Sequence, residues 1–135
     1  MAKRSKARQR ALEILFEAEQ RGINPLQVLT TRVEKAEMVV NEYVRTLIDG
    51  VTEHGEEIDE LLATYARGWT LDRMPPVDLM ALRIGTWELL YNEEIPDSVA
   101  VSEAVTLVRK LSTDESPGFV NGVLGRLQKL KPTLG

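Results

Sequence analysis

The stretch from Pro75-Pro76 to Tyr91 constrains the fold more than any other part of the chain. Val77, Met80, Ile84, Trp87 and Tyr91 recur at helical steps along one side, and Leu79, Leu82 and Leu90 extend the apolar character around most of the girth. A helix of that kind must be surrounded by others, so this one is expected at the centre of a helical bundle.

The rest of the chain supplies its neighbours. Ala7, Ala11, Ile14, Leu15 and Ala18 share one face of a first helix, which Arg21-Gly22 ends. Asn24-Pro25 gives a cap and a proline start for a second, with Leu26, Leu29 and Val33 as its buried face. From Lys35 the series Val40, Tyr43, Val44, Leu47, Ile48, Val51 predicts a third, halted near His54-Gly55, and Ile58, Leu61, Leu62 and Tyr65 mark a fourth. After a linker beginning at Gly68-Trp69 comes the central helix. Ser102-Glu103 is expected to open the next helix, with Ala104, Val105, Val108 and Leu111, and Phe119, Val120, Val123, Leu124, Leu127 and Leu130 belong to the last. Alternating apolar and polar runs bounded by hairpin turns are absent, and so are repeats and low-complexity linkers. The expectation is an all-α bundle of about seven helices, with residues 1–135 forming a single domain.

Charge is distributed unevenly over this bundle. Lys3, Arg4, Lys6, Arg8 and Arg10 place five cations in eight residues without an acid among them. The other 12 basic residues face 21 acidic ones, so a +5 head sits on a −9 remainder. Helical phase puts Lys3, Lys6 and Arg10 on one flank, and Arg4 and Arg8 nearer the apolar stripe. Ser5 is a candidate N-cap. Cations near a helix N-terminus oppose the macrodipole by roughly 0.3–1 kcal/mol each, so stability alone does not select this pattern. A phosphate-binding arm explains it, because helix N-terminal amides and basic side chains both favour phosphate.

Other chemistries find no support. With no cysteine there are no disulfides, thiolate metal ligands or thiol nucleophiles. His54, the only histidine, has no ligand cluster around it and reads as a surface residue at a helix end. Glu53, Glu56, Glu57, Asp59 and Glu60 read as a solvated helix face. Gly118, Gly122 and Gly125 follow no strand and make no dinucleotide loop; their spacing suggests a helix side that another backbone approaches. Arg83 is expected to pair with Glu88 or Glu103, and Asn121 to bond a neighbouring backbone group. No catalytic set, metal or cofactor is expected. No apolar run reaches the length of a membrane span, so a cytoplasmic protein is expected.

Several blocks resemble the NusB family of bacterial transcription antitermination factors. They are the arginine-rich start leading into Ala11-Leu12-Glu13-Ile14-Leu15-Phe16-Glu17, Trp69-Thr70-Leu71-Asp72-Arg73-Met74-Pro75, Leu82-Arg83-Ile84-Gly85-Thr86-Trp87-Glu88-Leu89, Ile95-Pro96 with Ser102-Glu103-Ala104-Val105, and Gly118-Phe119-Val120-Asn121-Gly122-Val123-Leu124. The last block, with Ser112-Thr113-Asp114, is similar to the actinobacterial form. The resemblance covers nearly the whole chain. It implies a compact bundle of two helical halves that binds the boxA element of rRNA leader transcripts together with the ribosomal protein NusE. Other Nus factors and RNA polymerase complete the assembly. The implied RNA contacts map onto Lys3, Arg4, Lys6, Arg8 and Arg10, and the implied protein-partner surface onto Asp78, Glu115 and Phe119. Some members of the family are dimers, so the resemblance admits a homodimer.

Two other classes compete with this RNA-binding adaptor. Small-subunit rRNA cytosine methyltransferases carry a similar helical domain, but their catalytic part needs an α/β nucleotide-binding domain for which these residues leave no room. A purely protein-binding adaptor would dock the basic head on an acidic partner instead.

Overall fold

The computed structural model describes residues 2–35 and 41–134. Seven α-helices follow in order: α1 (Ala2–Arg21), α2 (Pro25–Glu34), α3 (Glu42–Glu53), α4 (Gly55–Tyr65), α5 (Pro76–Tyr91), α6 (Asp97–Leu111) and α7 (Ser116–Leu134). A short 3-10 turn, Leu71–Arg73, precedes α5. The described residues contain no strand. Helices α1–α4 form one half and α6–α7 with α5 the other, while α5 also packs against α1, α3 and α4. The central role expected for α5 follows from its burial: the run from Asp78 to Leu89 is buried except at Arg83.

Local chemistry accounts for most boundaries. Gly22 takes φ +67° after α1, a left-handed conformation that suits glycine, and Gly68 takes +77° in the linker. The Asn24 side chain accepts from the Leu26 amide at 2.8 Å, and Asn41 accepts from the Tyr43 amide at 2.9 Å. Lys35, the start expected for the third helix, is the C-cap of α2, and α3 starts at Glu42 after its cap Asn41; Val40 lies outside the described residues.

Several expectations need correction. Helix α1 begins at Ala2, so Ser5 is an interior residue whose hydroxyl donates to Glu103 instead of capping. In α2 the buried residues are Val28 and Leu29, leaving Val33 exposed. Helix α6 opens at Asp97, directly after Pro96, and not at Ser102. Proline fixes its own φ and disfavours helix in the residue before it, so Pro96 is the sharper boundary. Arg83 bonds both carboxylate oxygens of Asp59 at 2.9 Å, with Glu19 at 3.6 Å. Glu88 was never within its reach, because five residues along a helix turn the side chain by about 140°. Asn121 is exposed and needs no protein partner.

The glycines were also misassigned. A Cβ at Gly118 or Gly125 would meet nothing within 4 Å, and one at Gly122 only the Arg126 guanidinium at 3.6 Å. Close approach occurs elsewhere. The Trp87 ring lies over Gly50, where a Cβ would fall 2.2 Å from it, and Gly85 admits Leu124 and Ala104. His54 is partly covered, stacked on Tyr91 with ring centroids 4.0 Å apart. The Tyr91 hydroxyl donates to Glu57, and burial followed by that bond pushes its pKa up to about 12.

Candidate nucleic-acid interface

The first turns of α1 present the basic head as part of a rigid helix. Ala7, Ala11, Ile14 and Leu15 seat α1 in the core, so the cations occupy defined positions around it. Lys3, Lys6 and Arg10 are exposed, and no described carboxylate lies within 4 Å of their charges. Arg4 is 42% exposed, stands 4.9 Å over the Tyr43 ring and lies 3.8 Å from Glu94. That stacking holds the Arg4 stem while leaving its edge open to solvent.

Arg8 stands apart from these four. It is only 3% exposed, and its Nε donates to both oxygens of Glu88 at 2.8 and 2.9 Å. Its Nη1 donates to Glu103 at 2.6 Å. Glu88 also accepts from the Tyr43 hydroxyl, which in turn accepts from Asn92. The result is a buried network tying α1 to α3, α5 and α6. Burial alone would lower the Arg8 pKa; the hydrogen bond and charge of Glu88, with Glu103, outweigh it and raise the pKa above its ordinary value. Burial and then the Glu88 bond also push the Tyr43 phenol up. Arg8 is thus spent on the fold and is not displayed with its neighbours. The pattern of α1 hinted at this, since Arg8, Leu12 and Leu15 form one row at steps of four and three, and both leucines are buried.

Sequence reasoning overlooked the partners of that arginine and one further cation. Tyr43, Glu88 and Glu103 come from three other helices, and an acid inside the apolar girth of α5 was the available signal. Lys110, in the last turn of α6, reaches across to α1, where its Nζ donates to Gln9 at 3.0 Å. Lys6, Gln9, Arg10, Glu13 and Lys110 line a depression of about 420 Å³ between the two helices.

The three candidate partner residues converge on another corner. Asp78, in the first turn of α5, is 2% exposed and accepts from Ser112 at 2.7 Å and Ser116 at 2.9 Å. It therefore clamps the α6–α7 turn, and its carboxylate is not open to a partner. Glu115 beside it is exposed. Phe119, half-buried one turn into α7, packs against Trp69 with centroids 5.7 Å apart, and Trp69 is 44% exposed. Next to this corner, Leu12, Phe16, Val77 and Leu111 floor an open groove of about 520 Å³ rimmed by Glu13, Glu17 and Arg32.

No cluster of three or more metal-ligating side chains occurs among the described residues, and no described helix is long and apolar enough to cross a membrane. Comparison with known proteins gives one consistent result. The NusB family model matches residues 5–129. The transcription antitermination protein NusB of Arthrobacter sp. (strain FB24) is 60% identical over 134 residues, covering 99% of this chain and 98% of the relative. The structure of T. maritima NusB superposes with TM-score 0.84 at 32% identity over 93% of this chain and 90% of that one. A crystal structure of the antitermination factors NusB and NusE in complex with dsRNA superposes with TM-score 0.84 at 31% identity, covering 96% and 98%. On sequence and fold together, the chain belongs to the NusB family of transcription antitermination proteins.

Proposed function

We propose that this non-enzymatic antitermination factor binds single-stranded boxA RNA of rRNA leader transcripts together with NusE, within a cytoplasmic assembly of other Nus factors and RNA polymerase. Residues 1–135 act as a single RNA-binding domain in this reading. The observation that carries it is the display of Lys3, Arg4, Lys6 and Arg10 on the first turns of a core-anchored helix, with no acid in its first turn. Such a surface attracts phosphate through both side-chain charge and helix-end amides. Arg8 enters as the residue that orients the display. The solved relative containing NusB, NusE and RNA supports both partners. For NusE, the corner of Glu115 and Phe119 is the proposed seat, held in shape by Asp78 and continuous with the apolar groove through Val77 and Leu111.

A titration of labelled boxA RNA across salt, with and without NusE, tests this reading. Three or four neutralised phosphates on a single strand give a log–log slope of about −2 to −3. Unlabelled duplex RNA of the same sequence, added as competitor, checks strandedness. A flat salt response, or unchanged affinity after converting Lys3, Lys6 and Arg10 to Gln, would remove the head from the mechanism.

A further inference from the structure

We propose that the RNA path does not end on α1 but continues across the α1–α6 depression, where Lys110 contacts a backbone phosphate. This rests on the RNA-binding reading above and assigns a residue to it that the basic head does not contain.

The argument begins from what Lys110 would otherwise do. A lysine in the last turn of a helix ordinarily stabilises the free carbonyls there and needs no further role. Lys110 instead sends its ammonium sideways to the Gln9 side chain of α1 at 3.0 Å. No described carboxylate lies within 4 Å of it. An ammonium held by a neutral amide keeps its full charge and two of its three donors for another acceptor. The same depression is lined by Lys6 and Arg10, so three cations from two helices face one concavity of about 420 Å³. A second, smaller hollow of about 130 Å³ adjoins it and shares Lys6, Gln9 and Lys110, with Thr106 and Leu107 of α6 in its lining. Glu13 closes the far end, and Gln9 donates to it at 3.5 Å. An anion is therefore favoured at the Lys6, Arg10 and Lys110 end and opposed beyond it, which gives the path a direction away from Glu13. At the cationic end, concavity also focuses the local field more than the same charges on a flat surface would.

Binding of a boxA-containing RNA oligonucleotide, measured with NusE present over a salt series, tests the assignment with four single variants. Lys110→Gln keeps the bond to Gln9 possible but deletes the charge. If Lys110 meets a phosphate, the slope falls by about 0.7 and affinity at 0.1 M salt drops about fivefold, a loss that follows from that slope alone. Lys6→Gln should show a step of similar size. Arg109→Gln removes an equal charge from the same exposed helix end but outside the depression, and should leave the slope unchanged. Lys110→Arg should bind like the parent chain. An unchanged slope in Lys110→Gln beside a reduced one in Lys6→Gln overturns the proposal and leaves the RNA reading standing. Equal effects at Arg109 and Lys110 overturn it as well, since they indicate a diffuse field and not a contact. Absence of RNA binding by the parent chain removes both.

Discussion

Replacing Arg8 by Ala distinguishes a structural cation from an RNA contact, and the geometry sets the size of the effect. The guanidinium supplies two bonds to Glu88 and one to Glu103. Glu103 is partly exposed and retains Ser5 as a donor, so its loss is small. Glu88 is fully buried and would keep only the Tyr43 hydroxyl. Removing one partner of a buried ion pair costs about 3–5 kcal/mol, because the other charge stays behind without compensation. A domain is stable by roughly 5–15 kcal/mol in total, so the variant loses a large share of its stability. With a urea m-value near ~2 kcal/mol/M, the midpoint should move down by roughly 2 M at unchanged m, read by circular dichroism at 222 nm. Arg10→Ala, at an exposed site, should stay within about 0.5 kcal/mol of the parent chain.

The paired variant Arg8→Met with Glu88→Leu removes both charges and should recover most of the stability, since apolar replacement of a whole buried pair is often neutral or better. That variant should bind boxA RNA with the parent salt slope. The reasoning is refuted if Arg8→Ala is no less stable than Arg10→Ala, or if the paired variant folds but its slope falls by about 0.7. Either result would return Arg8 to the RNA contacts.

Two further predictions concern packing and pH. Gly50→Ala should destabilise by at least about 1–3 kcal/mol and change the Trp87 emission, because its Cβ would lie inside the indole contact distance, whereas Gly125→Ala, in open space within α7, should stabilise by up to about 1 kcal/mol; urea titrations of both variants decide this. The raised Tyr43 pKa means that the unfolded chain loses this phenolic proton first as pH rises, so its contribution is complete below pH ~10 and is lost above it. Tyr91 adds in the same direction, and Tyr43→Phe should flatten, without abolishing, the fall in urea midpoint between pH 9 and 11.

What could be read in the sequence was whatever local chemistry decides. Helix number followed from apolar spacing and from punctuation at Gly22, Asn24-Pro25, Pro75-Pro76 and Pro96. The misplaced start of α6 came from weighting a serine cap at Ser102 above Pro96, the proline that directly precedes the helix. Contacts between elements were a different matter. Arg83 has several acids within plausible reach in sequence terms, and only the packing of α4 and α1 against α5 selects Asp59 and Glu19. Glycine spacing on α7 looked like a packing device, yet the glycines that matter, Gly50 and Gly85, are isolated in their helices and meaningful only through Trp87 and Leu124. Composition marked the basic head but could not divide it, because one charged residue in five had been recruited into the core by acids some 80 and 95 positions away.

That division bears on how the head works. Lys3 and Arg4 stand in the first turn of α1, where two cations oppose the macrodipole by roughly 0.6–2 kcal/mol together at low salt. An isolated segment of this composition would fray. The fold prevents this from below, through the buried Arg8 network and the Ser5 bond to Glu103, and from the side, through Gln9 and Lys110. These bonds climb α1 and α6 in the same direction, so they fix the rotation of α1 as well as its position. The helix is thus held in a conformation that its own charges disfavour, and an arriving phosphate removes the unfavourable term without having to order the backbone. Affinity gained in this way comes from preorganisation, and it depends on acids of the core as much as on the cations that touch the ligand.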